Sequence, residues 1–128
     1  MTDSREIPTQ QASSDVAEIE AVARDYIEGW YAGDVERMDR ALHAELVKRV
    51  PEGEEPDAFR EVTKARMLEL TAGGGGDAPD PTMEIFVDDV SFDIATAQVL
   101  SPEYLDYLHL VGASDGWRIA NVLFHPRS

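Results

Sequence analysis

With 128 residues, 43% of them hydrophobic, the chain has the length and composition for one domain with its own core, and no apolar run approaches the ~20 residues of a membrane span. Its formal net charge of -15 opposes contact with phosphate backbones and anionic lipid surfaces, so neither nucleic acid nor membrane is an expected partner. The absence of cysteine excludes disulfides, thiolate nucleophiles and cysteine-ligated metals.

The opening MTDSREIPTQQASSD is charged at Asp3, Arg5 and Glu6 and lacks the apolar stretch of a secretory signal, which makes the cytoplasm the expected compartment. Residues 1–13 show no period of 2 or 3.6 and read as a disordered tail, leaving 14–126 as a single domain. Asp15 and Glu18 have capping-box spacing, and Val16, Ile19, Ala23, Tyr26, Ile27 and Trp30 then recur at helical intervals. Gly33 ends that helix, and Asp34 caps a second one through Val35, Met38, Ala41 and Leu42. After the breakers Pro51, Glu52, Gly53, Glu54, Glu55 and Pro56, Asp57 caps a third helix carrying Phe59, Val62, Arg66, Met67 and Leu70. Glycines 73–76 stop it. They follow a helix instead of leading into one and lack a Gly-Lys-Ser/Thr ending, so they read as a flexible linker and not as a phosphate cradle.

From Met83 the period changes to that of strands, over 83–90, 92–100, 104–111 and 117–124. Helices first and strands after imply an α+β domain, three helices on an antiparallel sheet. Pairing Val111 with Trp117 across the loop at 112–116 sets His109 opposite Ile119 and Tyr107 opposite Asn121, on one face with Leu105 and Leu123. The other face then carries Tyr104, Asp106, Leu108 and Leu110. A slip of one residue exchanges the two faces. Both are too apolar for water, so helices are expected on one and a second copy of the chain on the outer one, giving a homodimer.

His109 is a candidate acid or base in a pocket; a packed histidine with a backbone partner is the competing reading. Asp106 becomes a candidate base if burial lifts its carboxyl toward neutrality, against a salt bridge to Arg118. Strand alternation sends the two to opposite faces, so they are not one catalytic pair. His43 at the end of the second helix fits a capping role as well as a catalytic one, and the spacing of His43, His109 and His125 matches no zinc motif. No metal or cofactor is expected, and neither Ser91 nor Ser101 sits in a nucleophile context.

Two blocks, Asp25-Tyr26-Ile27-Glu28-Gly29-Trp30-Tyr31-Ala32-Gly33-Asp34 with Met38 and Leu42-His43, and Tyr104-Leu105-Asp106-Tyr107-Leu108-His109-Leu110 with 115–123, resemble the putative lumazine-binding family of the nuclear-transport-factor-2-like (SnoaL-like) superfamily. The resemblance spans roughly residues 15 to 124. It implies a cone-shaped α+β fold, usually dimeric, whose open end between helices and curved sheet takes a small organic molecule. The expected ligand contacts are Tyr26, Trp30, Tyr107, His109 and Asn121. Superfamily relatives also include isomerases, dehydratases and polyketide cyclases, which makes proton transfer by Asp106 or His109 the alternative expectation.

Overall fold

A computed structural model of the chain describes residues 9–52 and 58–127, and side chains from residue 14 onward in these ranges. The first helix, α1, runs Thr9–Ala32. It therefore takes in residues 9–13 of the segment expected to be a tail; Gln10 to Ser13 contain no helix breaker, and extending a formed helix costs little per residue. Residues 1–8 lie outside the described residues. Asp15 and Glu18 are then interior to the helix and cap nothing. Their carboxylates instead accept from the ring and backbone N–H groups of Trp117, at 3.3 and 3.4 Å, and tie α1 to the sheet.

Ile19, Ala23, Tyr26 and Ile27 are buried on the sheet side of α1. Gly33 closes the helix at φ 67°, a conformation that favours glycine. The Asp34 side chain accepts from Arg37 N–H and caps α2, Val35–Ala41, as expected. The two helices are locked by charge: Arg37 donates to Asp25 at 2.9 Å and to Glu28 at 2.7 Å, and Arg40 donates to Asp25. Arg40, then Arg37, holds the Asp25 carboxyl below its ordinary value.

Strand β1, Leu42–Pro51, follows without a break, because Leu42 already has extended backbone. His43 is thus the second residue of a strand and caps no helix; its Nδ1 accepts from Glu45 N–H at 3.0 Å. Strand β2, Phe59–Val62, pairs antiparallel with β1, so Phe59 and Val62 belong to a strand and not to the third helix. That helix, α3, is Lys64–Ala72, and its cap is Thr63, whose hydroxyl accepts from Arg66 N–H at 3.1 Å. The expected cap Asp57, with the acidic part of the loop before it, lies outside the described residues. Strands β3 (Glu84–Ser91), β4 (Ile94–Leu100), β5 (Tyr104–Ala113) and β6 (Gly116–Pro126) agree with the sequence reading to within two residues.

The six strands form one sheet in the order β2-β1-β6-β5-β4-β3. It is mixed, not wholly antiparallel: β1 returns from the helical hairpin and runs parallel to β6. Register shifts on β1, β3 and β6 bend the sheet around the helices. α1 packs across β3, β4 and β6, and α3 lies on β1.

The glycine run is not a free linker. Gly75 N–H donates to Leu70 O at 3.0 Å and Gly76 N–H to Trp30 O at 3.2 Å, so the segment satisfies carbonyls at the ends of both α3 and α1. Gly75 has φ 60°, and a Cβ there would lie 1.9 Å from Trp30 O. Only glycine lets the backbones meet this closely.

Candidate functional site

Helices and sheet enclose a cavity of about 280 Å³. Tyr26 and Trp30 of α1 form one wall, Met67 and Leu70 of α3 another, and Phe124 of β6 the floor, with the exposed Arg60 and Pro126 at the mouth. Pockets for drug-sized ligands run ~300–1,000 Å³, so this space suits a molecule of one or two rings.

Three polar side chains meet inside it. Lys48 of β1 is 5% exposed, and its Nζ donates to the Tyr26 hydroxyl at 2.6 Å. That hydroxyl donates in turn to Asp106 Oδ2 at 2.7 Å. The Lys48 ammonium also lies over two rings, 5.0 Å from the Tyr26 centroid and 4.6 Å from that of Phe124. Asp106, 2% exposed, has no partner for Oδ1 among the described residues.

Burial governs the protonation of all three. It pushes the Lys48 ammonium down to about 8, against the attraction of Asp106 and with the help of Arg60 at the mouth. It raises the Asp106 carboxyl, opposed by Lys48 and by the Tyr26 hydrogen bond. It also lifts the Tyr26 phenol well above its ordinary value, with Asp106 adding to the effect. A buried amine, phenol and carboxylate in series can hold a proton at either end, which is what acid–base chemistry on a bound molecule requires.

Of the residues read from the sequence, Tyr26, Trp30 and Asp106 line this cavity and Tyr107, His109 and Asn121 do not. The hairpin pairs Gly112 with Trp117, one residue from the expected register, and an extra residue at Ala120 then sets His109 opposite Asn121 and Tyr107 opposite Leu123. The three expected partners do share a face, with Asn121 Nδ2 3.2 Å from His109 Nδ1, but it is the outer one. Tyr107 is 50% exposed there, and His109 borders a separate shallow depression with Ser91 and Thr96. Asp106 and His109 lie on opposite faces, as alternation requires. Arg118 pairs with Asp115, so the competing salt bridge to Asp106 is absent.

The sequence pattern singles out neither Lys48 nor Arg60, both of which line the cavity. Lys48 shares the inward parity of Leu46 and Val50, the one signal that could have found it, but the exposed pair Ala44-Glu45 and a register shift between Leu42 and Val47 hide the strand period.

Residues 14–125 match the family described as Putative lumazine-binding. The chain belongs to that family. Among curated proteins nothing matches. Solved structures of the same fold include a nuclear-transport-factor-2-like protein of unknown function from Silicibacter pomeroyi DSS-3, 18% identical over 91% of this chain and 98% of the other, with TM-score 0.77. A second, from Shewanella baltica OS155, is 14% identical over 91% and 96%, with TM-score 0.80. A ketosteroid isomerase-like protein from Erwinia carotovora atroseptica SCRI1043 is 19% identical over 89% and 97%, with TM-score 0.66. At these identities the likeness is one of fold. This member of the lumazine-binding family therefore has the nuclear-transport-factor-2-like architecture, and its chemistry has to be argued from its own cavity. Among the described residues no helix is long and apolar enough to cross a membrane, and no three His, Asp or Glu side chains come together as a metal site.

Proposed function

We propose that the domain binds a small planar or cyclic organic molecule in the cavity between helices and sheet. Tyr26 and Trp30 flank it, Lys48 contributes positive charge, and Asp106 Oδ1 accepts a hydrogen bond from it. The observation that carries this reading is the buried Lys48–Tyr26–Asp106 series in an otherwise apolar hollow. Such groups cost several kcal/mol to bury and are easily replaced by apolar ones when packing is their only task. The family's description as lumazine-binding supports a small-molecule ligand.

A second reading, a cofactor-independent isomerase, dehydratase or cyclase, is favoured by one feature: Asp106 pairs a raised carboxyl with an oxygen that has no partner among the described residues. Asp106 is then the base that takes a proton next to a carbonyl. His109 has no part in it, being on the far side of the sheet. Tyr107 and Leu123, exposed together on that outer face, suit contact with a second copy of the chain, and we propose the homodimer there. The cytoplasm remains our proposed compartment.

A thermal-shift screen of flavin-like, pteridine and polyketide-like compounds tests the binding reading. At a hundred times its Kd a true ligand adds ~2.7 kcal/mol to stability, a shift of several degrees for a domain of this size. The Trp30→Ala variant should lose most of it. Flat melting points across the whole set count against a binding function.

A further inference from the structure

Resting on the small-molecule reading above, the geometry of the cavity narrows the chemistry of its occupant. We infer that Lys48 is a carbonyl-reactive amine, so that an aldehyde or ketone entering the cavity condenses with Nζ to form an imine. Three observations carry this. Nζ is buried on the cavity wall, and its hydrogen bond goes to a phenol instead of a carboxylate. The phenol in turn connects it to Asp106, a proton donor and acceptor one bond away. The other lysine, Lys64, is engaged differently, with its Nζ 3.1 Å from Asp39 and donating to Leu42 O at 2.9 Å.

The step balances within these groups. Moving one proton from the ammonium through Tyr26 to Asp106 leaves a neutral amine beside a neutral acid. The amine nitrogen attacks the carbonyl carbon, and one N–H proton passes to the carbonyl oxygen, giving a carbinolamine. Asp106 then returns its proton through Tyr26 to the departing hydroxyl. The C–O bond breaks, water leaves and a C=N bond forms. Charge before is ammonium and carboxylate; charge after is iminium and carboxylate, so the step begins and ends with one cation beside one anion and passes through neutral groups between. Among the described residues the charged and titratable groups facing Nζ are Asp106, Tyr26, Tyr104 and Arg60, and the burial that holds Lys48 near 8 keeps a usable share of it neutral at physiological pH. A one- or two-ring carbonyl compound matches the space.

The test is unusually clean because the chain has two lysines against nine arginines. The whole protein is incubated with benzaldehyde and sodium cyanoborohydride at pH 7, and the benzylated amines are mapped by peptide mass spectrometry. Lys48 should be labelled at least about tenfold faster than Lys64, given how much more of it is neutral than of an ordinary lysine. Benzyl alcohol, which fills the same space without condensing, should slow Lys48 labelling alone. The Tyr26→Phe variant, which keeps the cavity wall but cuts the proton path, should label Lys48 more slowly. Labelling of Lys64 as fast as Lys48, with benzyl alcohol still raising the melting point, overturns the inference and leaves the binding reading standing. Neither labelling of Lys48 nor a melting shift with either compound overturns both.

Discussion

Replacing Gly75 by alanine is expected to lower the unfolding free energy by ~3 kcal/mol, measured by urea denaturation, whereas Gly73→Ala two positions earlier should change it by no more than ~0.5 kcal/mol. The contrast follows from what each new methyl group would meet. At Gly75 the backbone has φ 60°, which costs an alanine ~1–2 kcal/mol before any contact is counted. Its Cβ would also sit 1.9 Å from Trp30 O. That oxygen cannot swing aside, since it belongs to the last turn of α1 and accepts from both Gly33 and Gly76 N–H. Gly73 has φ -79°, and its Cβ would rest in ordinary contact, 3.5 Å from Glu69 O. Because the glycine segment bonds to Trp30 and Leu70, both on the cavity wall, Gly75→Ala should also weaken ligand binding. Equal, small effects at the two positions would mean that the run is the loose tether its composition suggests.

The second large effect is a pH dependence that Lys48→Met should remove. Lys48 is held at about 8 in the native state against its ordinary 10.5. Between those values the unfolded chain carries a proton here that the native chain has released, so this group's contribution grows as pH rises through the window and is lost as pH falls through 8. The full shift corresponds to ~3 kcal/mol. Wild-type stability relative to Lys48→Met should therefore improve by ~2 kcal/mol from pH 7.5 to 10. Asp106 has the opposite sense: its raised carboxyl contributes at acid pH, and that contribution is lost as pH rises through its folded value, so it gives no upward slope here. Stopping at pH 10 keeps the Tyr26 phenol out of the comparison. A constant difference between the two proteins across this range would place the Lys48 ammonium in water.

The fold was legible where one period ran unbroken. The α1 face from Ile19 to Trp30, the Asp34 cap and the four C-terminal strands needed only spacing to be read. Strands β1 and β2 were hidden for two different reasons. Lys48 interrupts the apolar alternation of the first, while Phe59, Val62 and Arg66 happen to fall at helical spacing across a strand and the helix after it. Without β1 there was no reason to suspect a parallel pair. The site was half legible: Tyr26, Trp30 and Asp106 carry it, but Tyr107, His109 and Asn121 share the outer face, because alternation groups residues by face without telling which of two apolar faces the helices cover. Local pattern also cannot show the bulge at Ala120, which takes Ile119 off the face of His109 and into the core while leaving composition untouched. Glycines 73–76 failed as a linker for a similar reason, since a loose segment and a tight backbone contact use the same residue.

At the centre of the account is a lysine buried on the wall of a ligand-sized hollow. Titrating protein labelled with ¹³C at lysine Cε, whose spectrum holds only Lys48 and Lys64, reads that lysine directly. One of the two signals should titrate near pH 8, should vanish in Lys48→Met, and should move when a cavity ligand is added. Two signals titrating together near ~10.4, the value of a lysine in water, would contradict it.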